Sequence, residues 1–86
     1  MKITFPNRYA IDSNRGGINF SASVNDQDII CHISSEALQD INSTYCADPI
    51  EKLFEDNKMT IQSIAEQKIR NGDSNIFISS NDVRKR

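Results

Sequence analysis

The stretch GINFSASVNDQDIICHIS, residues 17–34, decides the fold of this chain. Its first half places apolar residues at every second position from 18 to 24, with Asn or Ser between them. Alternation with a period of two predicts a strand that buries one face. A second alternating segment follows, and Asn25-Asp26 between the two suits a two-residue turn, because both residue types tolerate positive φ. The stretch therefore predicts a β-hairpin.

The register of this hairpin follows from the turn. A two-residue loop makes the pairs on one face apolar on both sides: Ala22 with Ile29, Phe20 with Cys31, and Ile18 with Ile33. A slip by one residue would move these side chains to the opposite face. Because neighbouring side chains on a strand point to opposite faces, we expect Cys31 to lie inward and His32 to face water beside Asn19. The two cannot then work together as nucleophile and base.

Three helical segments follow the hairpin, each with apolar residues at a spacing of three or four. They cover residues 35–45, 49–57 and 60–71. The second has the clearest start signal, with Asp48 as N-cap, Pro49 at the first helical position and Glu51 closing a capping box. For the first, Ser34 or Ser35 is the expected N-cap.

The third helix ends before Gly72, a residue suited to a C-terminal cap. Asn57-Lys58 predicts a break between the second and third helices. One continuous helix over residues 49–71 is the alternative, but it would run about 34 Å, which is long for so small a domain.

Two further strands flank these elements. KITF, residues 2–5, is a short N-terminal strand ended by Pro6, which suits an edge position. Residues 75–80 form a C-terminal strand. The order predicts an α+β fold: a small, mainly antiparallel sheet covered on one face by two or three helices, in one domain over residues 1–86.

The composition narrows the classes of function. The 86 residues carry a formal net charge of -2, whereas a dedicated nucleic-acid binder usually carries a basic stripe. No apolar run is long enough to span a bilayer, and the first residues lack the apolar region of a secretory signal. We therefore expect a cytoplasmic protein whose two cysteines stay reduced, with no membrane partner.

One segment carries the candidate binding residues Arg8, Tyr9, Asp12 and Arg15. These polar and amphipathic side chains are expected in a loop between strands, and loops often carry function. The structural alternative is that Arg8 or Arg15 forms an ion pair with Asp12, as surface arginines commonly do.

The end of the chain is basic, with Arg84, Lys85 and Arg86 in sequence. These side chains, helped by Lys68 and Arg70, are the candidate contacts to nucleic-acid phosphates. The alternative is a solvated chain end, because no aromatic residues stand between the charges to stack on bases.

The sequence offers no recognisable catalytic, metal or cofactor motif. Cys31, Cys46 and His32 are the natural zinc ligands, fewer than the four that a structural zinc site needs. A glycine-rich phosphate loop and a nucleophile elbow are both absent. We therefore expect no cofactor, no metal and no enzymatic activity. An enzyme working through Cys31, or through Arg8 and Asp12, is the least favoured reading.

Several segments, together with Arg15, resemble a bacterial family known as domain of unknown function 1488. They are ITFPNRYAID (3–12), INFSASVN (18–25), IICHISSEAL (29–38), LFEDNKMTIQSIAEQKI (53–69) and NIFISSNDV (75–83). Two positions depart from the family pattern: Ile11 stands where an aromatic residue is common, and Asp26 where a turn glycine is common. The resemblance implies a small cytoplasmic bacterial protein and supplies no activity or site.

These observations favour a non-enzymatic binding or regulatory module. Its partner would be another protein or a second copy of the chain, because a small sheet can accept a further strand at a free edge. The alternative is a weak nucleic-acid-binding protein that uses Arg8, Arg15 and the basic C-terminal tail.

Overall fold

A computed structural model describes residues 2–6, 8–41, 49–73 and 75–84. Within these ranges the chain forms a five-stranded, mostly antiparallel sheet and four helices, which confirms the predicted α+β class. The elements are β1 (Ile3–Thr4), β2 (Tyr9–Ile11), β3 (Ile18–Val24), β4 (Gln27–Ile33), α1 (Ser35–Ile41), α2 (Ile50–Asp56), α3 (Lys58–Arg70), β5 (Ile76–Ile78) and α4 (Ser80–Arg84).

The central hairpin of β3 and β4 has the predicted register. Ala22 pairs with Ile29, Phe20 with Cys31, and Ile18 with Ile33. The two turn residues adopt positive φ, 51° at Asn25 and 70° at Asp26. Positive φ at both positions defines the tight turn whose twist matches that of the flanking strands. Local sequence therefore determines this hairpin.

The sheet order is β1-β3-β4-β5, and β2 also pairs with β3. β1 and β2 lie antiparallel along the same edge of β3, at its two ends. β5 lies parallel to β4 on the other side. The prediction of a loop over Tyr9–Ile11 is wrong, because these three residues form strand β2. All three are exposed, so the segment has no buried alternation that could reveal a strand.

The helices pack on one face of the sheet, as predicted. A single apolar cluster joins β3, β4 and β5 to all four helices: Ile18, Phe20, Ala22, Cys31, Ile33, Ala37, Leu38, Leu53, Phe54, Ile61, Ile64, Ala65, Ile69, Ile76, Ile78 and Val83. The ring of Phe54 in α2 lies 5.5 Å from that of Phe20 and 4.7 Å from that of Tyr9. Burying one such ring contributes about 1.5–3 kcal/mol.

The predicted helix starts are partly confirmed. The amide of Ala37 donates to the hydroxyl of Ser34 at 3.1 Å, so Ser34 is the N-cap of α1. Pro49 is the N-cap of α2, with an extended ψ of 152°, and the helix begins at Ile50. The prediction of Pro49 as the first helical residue is therefore wrong by one position. Residues 42–45, the predicted end of α1, and the predicted cap Asp48 lie outside the described residues.

The predicted break between the second and third helices is confirmed at Asn57. Its side-chain amide donates to the carbonyl of Leu53 at 2.9 Å, and its φ of −117° departs from helical geometry. The carbonyl of Asn57 then accepts the amide of Ile61, so the same residue ends α2 and starts α3. α3 begins at Lys58, two residues before the predicted start at 60.

Gly72 ends α3, as predicted. It has a φ of 87°, and its amide donates to the carbonyl of Ile69. The amide of Asp73 donates to the carbonyl of Lys68 at 3.1 Å. This pair of bonds is the Schellman motif, which satisfies carbonyls at the end of a helix.

The predicted C-terminal strand over 75–80 is too long. β5 covers only Ile76–Ile78, and it is followed by helix α4, which was not predicted. The carboxylate of Asp82 accepts the amide of Ser79 at 2.9 Å and the hydroxyl of Ser79 at 3.2 Å. Ser79 and Asp82 thus have the spacing of a capping box, a start signal that was present in the sequence.

No helix in the described ranges is both long enough and apolar enough to cross a membrane.

Candidate functional site

The turn between β2 and β3 is organised by the carboxylate of Asp12. Oδ1 accepts the amides of Asn14 and Arg15 at 3.0 and 3.1 Å, and Oδ2 accepts Nε of Arg15 at 3.0 Å. The amide of Arg15, followed by its guanidinium, lowers the pKa of Asp12 to about 2. The structural alternative for Arg15 is therefore confirmed: it forms an ion pair with Asp12.

A chain of hydrogen bonds runs from Asp12 to His32. Nδ2 of Asn19 donates to Oδ2 of Asp12 at 3.3 Å, which directs the amide oxygen of Asn19 toward the imidazole. That oxygen lies 2.7 Å from Nδ1 of His32. Because an amide oxygen only accepts, Nδ1 carries the proton, and Nε2 holds the lone pair of the neutral ring. The Asp12 carboxylate thus fixes the tautomer of His32 through Asn19.

His32 lies on the sheet face away from the helices, as predicted, but most of its ring is shielded from water, which was not predicted. It lies beside Asn19 as expected, but it is only 5% exposed. Phe77 of β5 stacks on its ring, with centroids 5.2 Å apart, and Oδ2 of Asp12 lies 3.6 Å from Nδ1. Burial lowers the pKa of His32, the positive charge of Arg15 lowers it further, and Asp12 acts in the opposite direction.

The sheet face opposite the helices, here called the open face, has a step in height. Ile30 and Phe77, on β4 and β5, are 65% and 44% exposed. The strands beside them present smaller side chains, Ala10 on β2 and Asn19, Ser21 and Ser23 on β3. Large apolar groups therefore stand on one half of the open face, and a shallow floor occupies the other half.

Uncharged side chains make up most of the open face. The pairing register places eight of them there: Thr4, Ala10, Asn19, Ser21, Ser23, Ile30, His32 and Phe77. The charged residues beside them are Asp28, which pairs with Ser23, and Arg8, whose carbonyl accepts the amide of Ser21. The Asp12–Arg15 pair lies at the end of the face near His32.

A recess of about 490 Å³ adjoins the open face where β4 and β5 end. Arg15 and Phe77 line it, together with Glu36 at the start of α1 and Asn81 in α4. The side chain of Arg15 is 61% exposed there. Because a guanidinium and a carboxylate share the recess, it offers no single strong charge to a ligand.

The four candidate binding residues do not converge. Asp12 and Arg15 meet in the turn, but Tyr9 lies on the helix side of the sheet, opposite Phe20. A hydrogen bond to Glu55, followed by burial, raises the pKa of Tyr9. Arg8 is exposed, and its carbonyl accepts the amide of Ser21. These residues therefore do not form one pocket.

The candidate nucleic-acid residues are described only in part. Arg84 is the last residue of α4, while Lys85 and Arg86 lie outside the described residues. Of the expected helpers, Lys68 pairs with Asp82 at 3.1 Å and Arg70 with Glu66 at 3.3 Å. Both helper charges are thus already compensated within the molecule.

The side chain of Cys31 is fully buried beneath the sheet, as predicted. Burial raises the pKa of this thiol to about 11. A thiol in that state holds almost no thiolate near neutral pH. In the part of the chain that the structure describes, no three His, Cys, Asp or Glu side chains group closely enough to hold a metal ion.

Sequence reasoning missed the role of three residues in this site: Asn19, His32 and Phe77. The signal for Asn19 and His32 was present, because the hairpin register already placed them side by side. The contribution of Phe77 had no local signal. It depends on the parallel pairing of β5 with β4, which joins segments that are distant in sequence.

The geometry defines a small α+β protein with an open sheet face and a polar network at one end of that face. The family described as protein of unknown function (DUF1488) matches residues 3–78. The chain belongs to this family, as the resemblance implied.

A solved structure supports the same fold. It is a crystal structure of a protein of unknown function from the DUF1488 family of Shewanella loihica PV-4. It is similar to this chain with a TM-score of 0.76 and 23% sequence identity, over 88% of this chain and 90% of that one. No curated protein matches. At this identity the likeness shows the fold alone.

Proposed function

We propose that this protein is a non-enzymatic binding module that associates with a second copy of itself through the open face. The observation that carries the proposal is the step in that face, with Ile30 and Phe77 exposed beside a floor of small residues. The buried thiol of Cys31 supports a non-enzymatic role, because its raised pKa withholds a nucleophile. We place the protein in the cytoplasm, where this thiol stays reduced.

The open face has the composition of a protein interface. Interfaces are depleted of charge at their centre and keep a polar rim. Here Ser21 and Ile30 at the centre are uncharged, and the charged residues Arg8, Asp28 and Arg15 border them. Two exposed apolar side chains standing together on one face of so small a domain favour docking more than solvation.

The step makes the open face complementary to itself. Consider a two-fold axis that lies in the contact between the two open faces and runs parallel to the strands, midway between β3 and β4. Rotation about this axis places β4 of one copy over β3 of the other, and β5 over β2. Because Ser21 pairs with Ile30 at the same height, Ile30 then faces Ser21 of the second copy. Phe77 faces Ala10 of the second copy in the same way. Each large side chain meets a small one, as a two-fold interface requires.

The size of the face predicts a weak dimer. β3 and β4 have seven residues each, but the column beside β3 has only five, in β1 and β2, and the column beside β4 has three, in β5. At about 16 Å² per strand residue, one face covers about 350 Å². Two such faces in contact bury on the order of 700 Å², below the roughly 1,200–2,000 Å² of stable complexes. We therefore expect a dimer that dissociates on dilution.

Sedimentation velocity over a concentration series, from about 5 to about 500 µM, tests the proposal. We expect the mass to rise from monomer toward dimer. Ile30→Asp should keep the protein monomeric, because it introduces a charge at the centre of the contact. Met59→Asp is the matched control, since Met59 is 85% exposed on α3, away from the open face. A monomer at every concentration, or equal effects of the two variants, would contradict the proposal.

A spin label tests the orientation of the two copies. Asp28→Cys in a Cys46→Ser background offers one accessible thiol at the border of the contact, because Cys31 is buried and position 28 is exposed. Spin-labelled protein is mixed with isotope-labelled protein that carries no spin label. In the proposed orientation, position 28 of one copy faces Ser23 of the other, so the amide signal of Ser23 broadens more than that of Met59. Equal broadening at the two positions would reject the orientation.

A further inference from the structure

His32 is the one ionisable side chain in a row that crosses the open face on four strands. The row consists of Ala10, Asn19, His32 and Phe77. The charged groups that face the ring are Asp12 and Arg15, both from the turn between β2 and β3. Asn19 from β3 and Phe77 from β5, which also contact the ring, do not titrate. A charge formed on His32 therefore lies on the open face itself, in the row next to Ile30.

Nε2 of His32 is the ring nitrogen whose contact with solvent self-association would remove. Among the described residues, none makes a hydrogen bond to Nε2 of His32. No side-chain nitrogen or oxygen described as buried lacks a partner, so Nε2 still touches solvent. In the proposed orientation, Asn19 of the second copy lies over this ring and displaces that solvent. An imidazolium there would lose hydration that the neutral ring does not need.

We propose that self-association through the open face is sensitive to pH, with the two copies docking while His32 is neutral and separating when it is protonated. The proposal rests on the proposed function, because it concerns the same surface. The proton enters from solvent at Nε2, and the bond from Nδ1 to Asn19 persists in both states. The turn therefore keeps its structure, and protonation acts on the contact between the copies.

The net charge of the protein predicts the opposite pH dependence of association. The direction of the measured change therefore distinguishes a specific group from the net charge. The formal net charge is -2 at pH 7 and the isoelectric point is about 5.2. Acidification toward pH 5.5 therefore reduces repulsion between copies, which by itself favours association. Weaker association at the lower pH would have to come from a specific group. His32 is the only histidine in the chain, and histidine is the side chain that ordinarily titrates in this range.

The test is to measure the dimerisation constant by sedimentation equilibrium at about pH 7.5 and about pH 5.5. We expect the wild-type association constant to fall by about tenfold on acidification, because each of the two copies contributes one His32 that must stay neutral. His32→Gln, which stays neutral, should lose this decrease and show no change or a small increase.

A second measurement needs no variant. The imidazole signals of His32 are unambiguous in NMR spectra, and their titration is recorded at low and at high protein concentration. By linkage, the pKa of His32 must be lower at the concentration where dimers form. Dimerisation with an unchanged pKa and no pH dependence would overturn this inference and leave the proposed function intact. No dimer at either pH would overturn both.

Discussion

Gly17 shows how closely the turn between β2 and β3 approaches the backbone of β4. It has a φ of 81°, a conformation that L side chains rarely adopt. A Cβ atom at this position would overlap the backbone carbonyl of Ile33. Gly16, next to it, has a similar φ of 76°, but an added Cβ would lie 3.7 Å from Oγ of Ser35, an ordinary contact. Two adjacent glycines thus differ in packing while sharing a backbone conformation.

This difference predicts unequal costs for the same substitution. Gly16→Ala should lower the free energy of unfolding by about 1 kcal/mol, the usual cost of a left-handed alanine. Gly17→Ala should lower it by about 3 kcal/mol or more, because the backbone of β4 must also move. Urea unfolding of both variants checks the prediction. Equal losses would show that the turn has more room than the structure indicates.

At the residue scale, the alternation of side chains along β4 was sufficient to predict the burial of Cys31 but not the burial of His32. The inward position of Cys31 follows from the hairpin register, so its burial could be predicted from neighbouring residues. The burial of His32 depends on Phe77, which reaches it through the pairing of β4 with β5. That pairing joins distant parts of the chain, and no periodicity within one segment encodes it.

At the element scale, the segments predicted well are those with strong local signals. The hairpin has its turn and its alternation, and α3 has apolar spacing and the glycine that ends it. The segments missed are short: β2 has three residues and α4 has five. Such short elements are held by pairing or capping rather than by their own periodicity. The capping pair of Ser79 and Asp82 was the one usable signal, and it was overlooked.

The hairpin turn offers a stabilising substitution. Asp26 has a φ of 70°, which glycine adopts without the steric cost that a Cβ imposes. We expect Asp26→Gly to raise the free energy of unfolding by about 0.5 to 1 kcal/mol, measured by urea denaturation. Asp26→Ala is the matched comparison and should lower it, because alanine tolerates this conformation less well than aspartate. A destabilised glycine variant would mean that the aspartate side chain stabilises the turn.

At the scale of the whole molecule, the fold class was predictable, and the arrangement of the site was not. Counting strands and helices gave an α+β domain with helices on one face, and the structure confirms it. The order of the outer strands depends on which edge of the hairpin each one joins. β1 and β2 share one edge and β5 takes the other, so Asp12 and Phe77 approach His32 from opposite sides.

The stability of the monomer should depend on pH in a defined direction. Because the pKa of His32 is lowered in the folded state, the unfolded chain binds a proton more readily. Stability is therefore full above the unfolded pKa, near 6.5, and falls as pH decreases through the folded pKa. Urea unfolding at low protein concentration, between about pH 7 and about pH 5, should show this decrease.

His32→Gln provides the control for this measurement. The chain has no other histidine, so the variant should show a flatter dependence in the same window, whatever its absolute stability. An equally steep decrease in the variant would assign the effect to carboxylates instead of His32.

The outermost strand, β5, has a further consequence for the behaviour of the protein when it is mildly destabilised. β5 has only three residues and pairs along one side with β4. Such a short peripheral strand is expected to open locally before the rest of the sheet unfolds. Its release would expose the unpaired backbone of β4 beside the apolar side chains of Ile33 and Cys31. A β5 segment released by a neighbouring molecule could then occupy the vacant edge, which makes domain swapping the expected first step toward aggregation.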